Sequence, residues 1–288
     1  MFAKVLVGTD LSEPSEAVLD YVPRLRKIGL QEVVLAHVVF VAGAAGMEQE
    51  LIDQARADIE EQAERLRAAG LEVETVVELG VPASKLAHLA EEHDVSAIVA
   101  GSHGRSMLQR VLLGSVAMSL LHHATRPVVL VRVELCKTDE GISCELLGDE
   151  PLSHLLFPTD FSEAADAAFE WLEYLATEAE AAVTLLHAQN TGAHGHRLDD
   201  VERFNAEDRE RLEGLAEKLR AAGVSEIETV VEDASPTELI NRVAAENAVS
   251  MIVMSTHGRG TLAELVVGSV ALKVGRTSPV PVLMVPHR

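Results

Sequence analysis

The stretch Gly101-Ser102-His103-Gly104, then nine residues, then Gly114-Ser115 decides how this chain is read, because the chain repeats it. The second occurrence runs Ser255-Thr256-His257-Gly258, nine residues, Gly268-Ser269. The segments that open each half also match: Val7-Gly8-Thr9-Asp10-Leu11-Ser12 stands against Phe157-Pro158-Thr159-Asp160-Phe161-Ser162. A strand-like segment carrying a histidine follows each opening, Val33 to Val39 and Ala182 to Gln189. A repeat of this length makes two domains rather than a solenoid. Glycine matters here because backbone without side chains can wrap a phosphate closely.

The 288 residues suit two domains, each able to bury its own core. A hydrophobic content of 48% is that of a globular chain, and no apolar run is long enough to cross a bilayer. The strand-like Lys4-Val5-Leu6-Val7 begins almost at once, so we expect no signal peptide and a cytoplasmic location. The net charge of -22 repels nucleic acid and anionic membrane, so neither is an expected partner. An anionic ligand would therefore have to be held by local amides, a helix terminus or a cation. The two cysteines, Cys136 and Cys144, lie between the repeats and make neither a disulfide scaffold nor a zinc cluster. A bridge within their own loop is open, but a reduced pair is the default in the cytoplasm.

Short apolar runs alternate with longer amphipathic ones, the pattern of a parallel sheet covered by helices. In the first half the pattern predicts strands near 4–8, 32–40, 72–79, 96–101 and 127–132, and helices near 13–28, 47–69, 82–93 and 114–125. In the second it predicts strands near 154–158, 182–188, 226–232, 250–255 and 280–285, and helices near 162–178, 200–222, 235–247 and 268–276. Val18, Tyr21, Val22, Leu25 and Ile28 form one helical stripe. Pro23 inside it should kink the helix, whereas the second half has Glu173 there. Ser12 and Ser162 are placed to cap the helices that follow them. We assign domains to 1–134 and 153–288 and a linker, with room for a hairpin, to 135–152.

Ligands of open parallel sheets bind beyond the carboxyl ends of the strands, where strand order reverses. If the first and fourth strands are neighbours, Asp10 and Gly101 face one crevice. Gly114-Ser115 then opens a helix whose free amides and dipole favour an anion, with the Ser115 hydroxyl adding a hydrogen bond. No Gly-Lys-Ser/Thr follows the glycines, so this is not a P-loop, and the spacing is not that of the Rossmann fingerprint.

At this point the chain resembles the universal stress protein family, in tandem, over nearly its whole length apart from the linker. ATP-binding members carry Gly-x2-Gly-x9-Gly-Ser/Thr, and Gly101, Gly104, Gly114 and Ser115 match it in full. The resemblance implies an α/β fold of two five-stranded parallel sheets, strand order 3-2-1-4-5, with helices on both faces. It implies that Thr9, Asp10 and Val38 hold an adenine and that the glycine motif, with His103 and Arg105 inside it, holds ribose and phosphates, as ATP with Mg²⁺. In the second half Asp160, Gly258, Gly268 and Ser269 remain, but Ser255 replaces the first glycine and Ala234 stands where the first half has Gly80. The serine's side chain threatens to crowd the sugar, so the first site ranks above the second.

Each of these residues also has a plainer reading. The glycines can serve tight turns, Asp10 and Asp160 can cap the turn that follows them, and His103 and His257 can shape their loops. Arg105 and Arg259 can pair with a phosphate or lie on the surface. His37 and His187 read as core-edge histidines without a role. His194, His196, Asp199 and Asp200 are metal ligands in type, but no second shell is visible and no metal is assigned to them. His122 and His123 suit a helix end.

The expected function is nucleotide binding in a stress or signalling protein. The competing readings are a slow ATPase, for which only His103 offers a base, and an interaction scaffold with a degenerate second site. A flavoprotein of related fold would need a motif that is absent. The Val-rich last strands, Pro127 to Arg132 and Pro281 to Val285, read as sheet edges. In the family such edges pair between subunits; here the two halves could pair about a pseudo-twofold, with whole chains forming a homodimer.

Overall fold

The computed structural model describes residues 1–40, 48–102, 113–138, 141–146, 152–189, 198–258 and 267–287. The chain divides into two compact units, Met1–Leu147 and Gly148–His287.

The first unit alternates strands and helices: β1 (Lys4–Thr9), α1 (Glu13–Tyr21), β2 (Glu32–Val39), α2 (Glu48–Ala68), β3 (Glu72–Leu79), α3 (Pro82–Glu92), β4 (Ala97–Gly101), α4 (Ser115–His123) and β5 (Val128–Val131). β1 lies between β2 and β4, β3 pairs with β2, and β5 with β4, every pairing parallel. The order is therefore β3-β2-β1-β4-β5. The central strands are continuous apolar runs, and Val5, Leu6, Val7, Ile98 and Val99 are completely buried, as a parallel sheet covered by helices requires. β3 instead alternates Glu72, Glu74 and Glu78 with apolar residues, the charged pattern of an outer strand.

A hairpin of β6 (Val133–Thr138) and β7 (Gly141–Leu146) follows. Its register sets Cys136 opposite Ser143 and Cys144 opposite Leu135, so the two cysteines are not cross-strand partners.

The second unit repeats the plan with β8 (His154–Pro158), α5 (Glu163–Ala179), β9 (Ala182–Gln189), α6 (Leu198–Ala221), β10 (Ile227–Asp233), α7 (Pro236–Glu246), β11 (Met251–Ser255), α8 (Ser269–Thr277) and β12 (Val282–Val285). β8 lies between β9 and β11, with β10 beyond β9 and β12 beyond β11, again all parallel. Phe157 of β8 and Phe169 of α5 meet edge to face, with ring centroids 5.7 Å apart, and anchor this helix to the sheet.

Two local expectations change. The segment 13–28 is not one kinked α-helix. α1 stops at Tyr21 and the chain continues as a 3-10 helix over Val22–Ile28, ended by Gly29 in the left-handed region. Pro23 lacks the amide that would bond back to the carbonyl of Leu19, so the turn tightens instead. Glu173 keeps that amide, and α5 runs unbroken. The stripe survives the change: Val18, Tyr21, Val22, Leu25 and Ile28 are all buried.

The second correction concerns capping. Ser162 accepts a hydrogen bond from the amide of Ala165 (3.3 Å) and caps α5. Ser12 makes no such bond, because its hydroxyl donates to Asp10 Oδ1, as does that of Ser15. Donating to the carboxylate turns the Ser12 side chain back toward Asp10, and the second half has Ala165 where Ser15 stands. Among the described residues no helix is long and apolar enough to cross a membrane.

Candidate functional site

Thr9 ends β1, and the chain then turns through Leu11, whose φ is 57°. The Thr9 hydroxyl accepts from the Leu11 amide (3.1 Å), and the Asp10 carboxylate accepts from the Ser12 amide (3.2 Å). The second half builds the same turn: Phe161 has φ 57°, its amide donates to the Thr159 hydroxyl (2.9 Å), and Ser162 donates to Asp160 (3.1 Å). Both aspartates therefore act as local caps. A bulky residue at positive φ is strained by roughly 1–3 kcal/mol, and it occurs at the same place in both halves.

The histidine of the second strand reaches across to each turn. His37 Nδ1 lies 2.9 Å from the Thr9 carbonyl, and His187 Nδ1 lies 2.7 Å from that of Thr159. A carbonyl only accepts, so each Nδ1 carries the proton. Neither histidine is without a role: each ties the first-strand turn to its neighbour. Position in sequence marked them only as core-edge residues.

On the other side of the crevice, β4 and β11 lead into the glycine motif. Gly114 donates to the Ser102 carbonyl (2.8 Å) and Gly268 to that of Thr256 (2.7 Å), which pins the start of α4 and α8 against the strand end. Ser115 and Ser269 are the first residues of those helices. His103, Gly104, Arg105 and Arg259 lie outside the described residues, as do His194 and His196. For Asp199 and Asp200 the description stops at the backbone of α6. Thr9 and Val38 are buried at the ends of β1 and β2, and Gly101 ends β4.

The second half shows how the two motifs meet. A Cβ added to Gly258 would lie 2.5 Å from Asp160 Oδ2, so the loop after β11 presses on the turn after β8 where only glycine fits without a shift. Ser255 is buried, and its hydroxyl donates to the carbonyl of His257 at 2.5 Å. The hydroxyl is thus engaged with its own loop. His257 Nδ1 lies 2.8 Å from the Thr256 hydroxyl, which makes it a loop-shaping residue. Gly80 has φ 149°, whereas Ala234 is not among the residues at positive φ, so the backbone differs where the sequence does. Both amides nonetheless reach the preceding strand, Gly80 to Val39 (3.1 Å) and Ala234 to Gln189 (2.9 Å).

Between these elements lies a cavity of about 550 Å³. Asp160, Ser255, Gly258, Gly268 and Ser269 all line it. So do Pro158, Leu186, Ala188, Pro236, Ile240 and Met254, which sequence reasoning missed. They are apolar residues of β8, β9, α7 and β11, indistinguishable in sequence from core. The cavity joins an apolar wall to the amino end of α8, an arrangement suited to a flat apolar group linked to an anion. Among the described residues no group of His, Cys, Asp and Glu is arranged to hold a metal.

Burial pushes the Tyr21 phenol up, and Arg24 opposes it. A hydrogen bond from Arg67 holds the Glu60 carboxyl low, with Thr75 adding to it.

Comparison with known proteins agrees with the repeat. The model of the universal stress protein family matches twice, at residues 1–132 and 151–286. A universal stress protein of Mycolicibacterium smegmatis is 27% identical over 308 aligned positions, covering 99% of this chain and 97% of the relative. One from Methanocaldococcus jannaschii is 28% identical over 155, covering 46% of this chain and 96% of the relative, as one repeat would. The crystal structure of a universal stress protein from Archaeoglobus fulgidus superposes with a TM-score of 0.73 at 25% identity, over 98% of this chain and 95% of that one. The chain thus belongs to the universal stress protein family and carries its domain twice.

Proposed function

We propose that the protein binds ATP with Mg²⁺ as part of a stress or signalling response, with a site in each half. In the first half Thr9, Asp10 and Val38 hold the adenine, and Gly101, His103, Gly104, Arg105, Gly114 and Ser115 hold ribose and phosphates. In the second, Asp160 lies on the base side and Ser255, Gly258, Gly268 and Ser269 on the phosphate side.

The observation that carries this reading is the cavity of about 550 Å³ in the second half. Its volume falls within the range of about 300–1,000 Å³ typical of small-molecule sites. The apolar residues Pro158, Ala188 and Ile240 offer a surface for a base, and Gly268 and Ser269 at the start of α8 offer amides to phosphate. The amides also supply what a chain of net charge -22 needs in order to accept a polyanion. The engaged Ser255 hydroxyl favours an open second site over a degenerate one, which argues against the scaffold alternative. A slow ATPase would depend on His103.

Beyond the site, the proposal keeps a cytoplasmic location, a homodimer, and no nucleic-acid or membrane partner. It also keeps the domain limits 1–134 and 153–288 with the linker 135–152, and two tandem five-stranded sheets related by a pseudo-twofold. These points rest on composition and on the repeat.

Calorimetric titration of nucleotide-stripped protein with ATP and Mg²⁺ tests the reading. Two sites are expected, and Gly268→Ala should weaken the second, because its Cβ would lie 3.3 Å from the Thr256 carbonyl, a tight contact that pushes on the start of α8. No binding heat from protein shown to be free of nucleotide overturns it.

A further inference from the structure

The turn that carries Asp160 is held from behind by a cluster whose corresponding positions in the first half, His37 apart, carry other residues. His187 donates from Nδ1 to the Thr159 carbonyl (2.7 Å), so its Nε2 bears only a lone pair while the ring is neutral. That Nε2 faces Asp208 Oδ2 of α6 at 3.4 Å, and the two side chains are only 11% and 17% exposed. Gln189 Nε2 also donates to Asp208 Oδ2, at 2.6 Å. Two acceptors facing one another repel; one proton on Nε2 turns the contact into an ion pair.

The same histidine packs on Phe161, with ring centroids 4.6 Å apart, and the Arg211 guanidinium sits 3.9 Å from the centre of the Phe161 ring. His187 therefore grips the residue on each side of Asp160: Thr159 by its carbonyl and Phe161 by its ring.

Counting back from the glycines that follow α2 and α6, Gly70 and Gly223, Asp208 corresponds to Ala55 and Arg211 to Asp58. Phe161 corresponds to Leu11. The first half keeps the bond from His37 to the Thr9 carbonyl (2.9 Å) but has no carboxylate at the position of Asp208 and no aromatic ring at that of Phe161.

We infer that His187 and Asp208 are positioning residues for Asp160, and that ligand binding in the second-half cavity is coupled to a proton on His187 Nε2. The coupling rests on the nucleotide reading of that cavity only for its effect on affinity; the movement of the turn does not need it. The charged group facing the imidazole is Asp208 of α6, whose other oxygen, Oδ1, lies 3.8 Å from Arg211 of the same helix. The register neighbour of His187 on β10 is Val231, which carries no charge. α7, which also packs on β9, directs Arg242 to Glu232 and Glu246 and carries Glu238. Protonation adds attraction to Asp208 and sets the turn more firmly, so the second site tightens as pH falls.

The test uses the full chain. Amide resonances of Asp160 and Phe161 are followed together with the His187 ring signal between about pH 8 and about pH 5.5. In the wild type the two amides should track the His187 titration. In Asp208→Asn the excursion should fall at least about threefold, and His187→Gln, whose amide can still donate to the Thr159 carbonyl, should abolish it. Amides that move equally in wild type and Asp208→Asn, or that stay still while His187 titrates, overturn the inference. Calorimetry with ATP and Mg²⁺ at both pH values should show the second site about threefold tighter at the lower pH than in Asp208→Asn under the same conditions. The comparison at one pH cancels the titration of the nucleotide itself. Equal pH dependence in the two proteins overturns the coupling while leaving nucleotide binding standing. Absence of heat overturns the nucleotide reading alone, and the amide shifts still decide the coupling.

Discussion

Gly258 and Asp160 lie in such close register that a single methyl group on the glycine would stand 2.5 Å from the carboxylate. This pair joins the loop after β11 to the turn after β8, and so sets how the two sides of the cavity meet. Gly258→Ala forces the carboxylate or the loop to move. The expected cost is roughly 1–3 kcal/mol in chemical denaturation, the range for overpacking a close contact. Nucleotide binding in the second half should weaken more than in the first. An alanine variant with unchanged stability and affinity would show that the contact yields without cost.

Ser255 has taken over a glycine position by bonding to the His257 carbonyl at 2.5 Å. Ser255→Ala should cost about 1 kcal/mol through that hydrogen bond. Ser255→Gly should cost as much or more, because glycine adds backbone entropy to the unfolded chain. If restoring the family's glycine tightened nucleotide binding, the serine would be an obstruction after all.

The Tyr21 hydroxyl is buried and has no hydrogen-bond partner among the described residues. Tyr21→Phe removes an unsatisfied polar atom without opening a large cavity, and should change stability by less than about 1 kcal/mol, towards the stabilised side. Burial raises the phenol's pKa, so the folded state favours the neutral form. The stability that this residue contributes is therefore full below the unfolded phenol's pKa of about 10 and is lost as pH rises above it. Melting curves across the alkaline range should fall off less steeply in Tyr21→Phe.

Arg67 links α2 to β3. It meets Glu60 at 2.6 Å and Glu64 at 2.8 Å, and donates to the Val73 carbonyl at 3.1 Å. The hydrogen bond from Arg67 depresses the Glu60 pKa, so the contribution of Glu60 to stability is present above the ordinary carboxylate range and is lost as pH falls through it. Arg67→Met, which keeps the alkyl packing, should move the acid unfolding midpoint to higher pH. The shift should be small, because the pair is half-exposed.

Strands and helices were legible wherever their period was long and clean: the buried runs of β1 and β4 and the amphipathic stretch of α2 leave little room for another assignment. The 3-10 segment after Tyr21 was half legible, since Pro23 announced a break but not its form. The helix cap was misassigned at Ser12 because capping competes with a charged acceptor two residues back. At the site, the glycines were read as room for a ligand, but the neighbour that Gly258 is pressed against in the structure is Asp160. The apolar wall of the cavity, Pro158, Ile240 and Met254, was not legible, since such residues look like core until strand ends are placed in space. The meeting of His187 with Asp208 depends on how α6 lies along β9, which no spacing in one dimension encodes.

The left-handed turn residues Leu11 and Phe161 carry a further consequence. Neither side chain favours φ near 57°, yet both halves hold it there. A glycine would relieve the strain, but it would also let the loop wander among many shapes. With a bulky residue held by the threonine hydroxyl behind it, the turn samples fewer shapes before anything enters the crevice. A newcomer then has less of this turn to order on arrival, so the turn itself should add little to the entropy cost of binding.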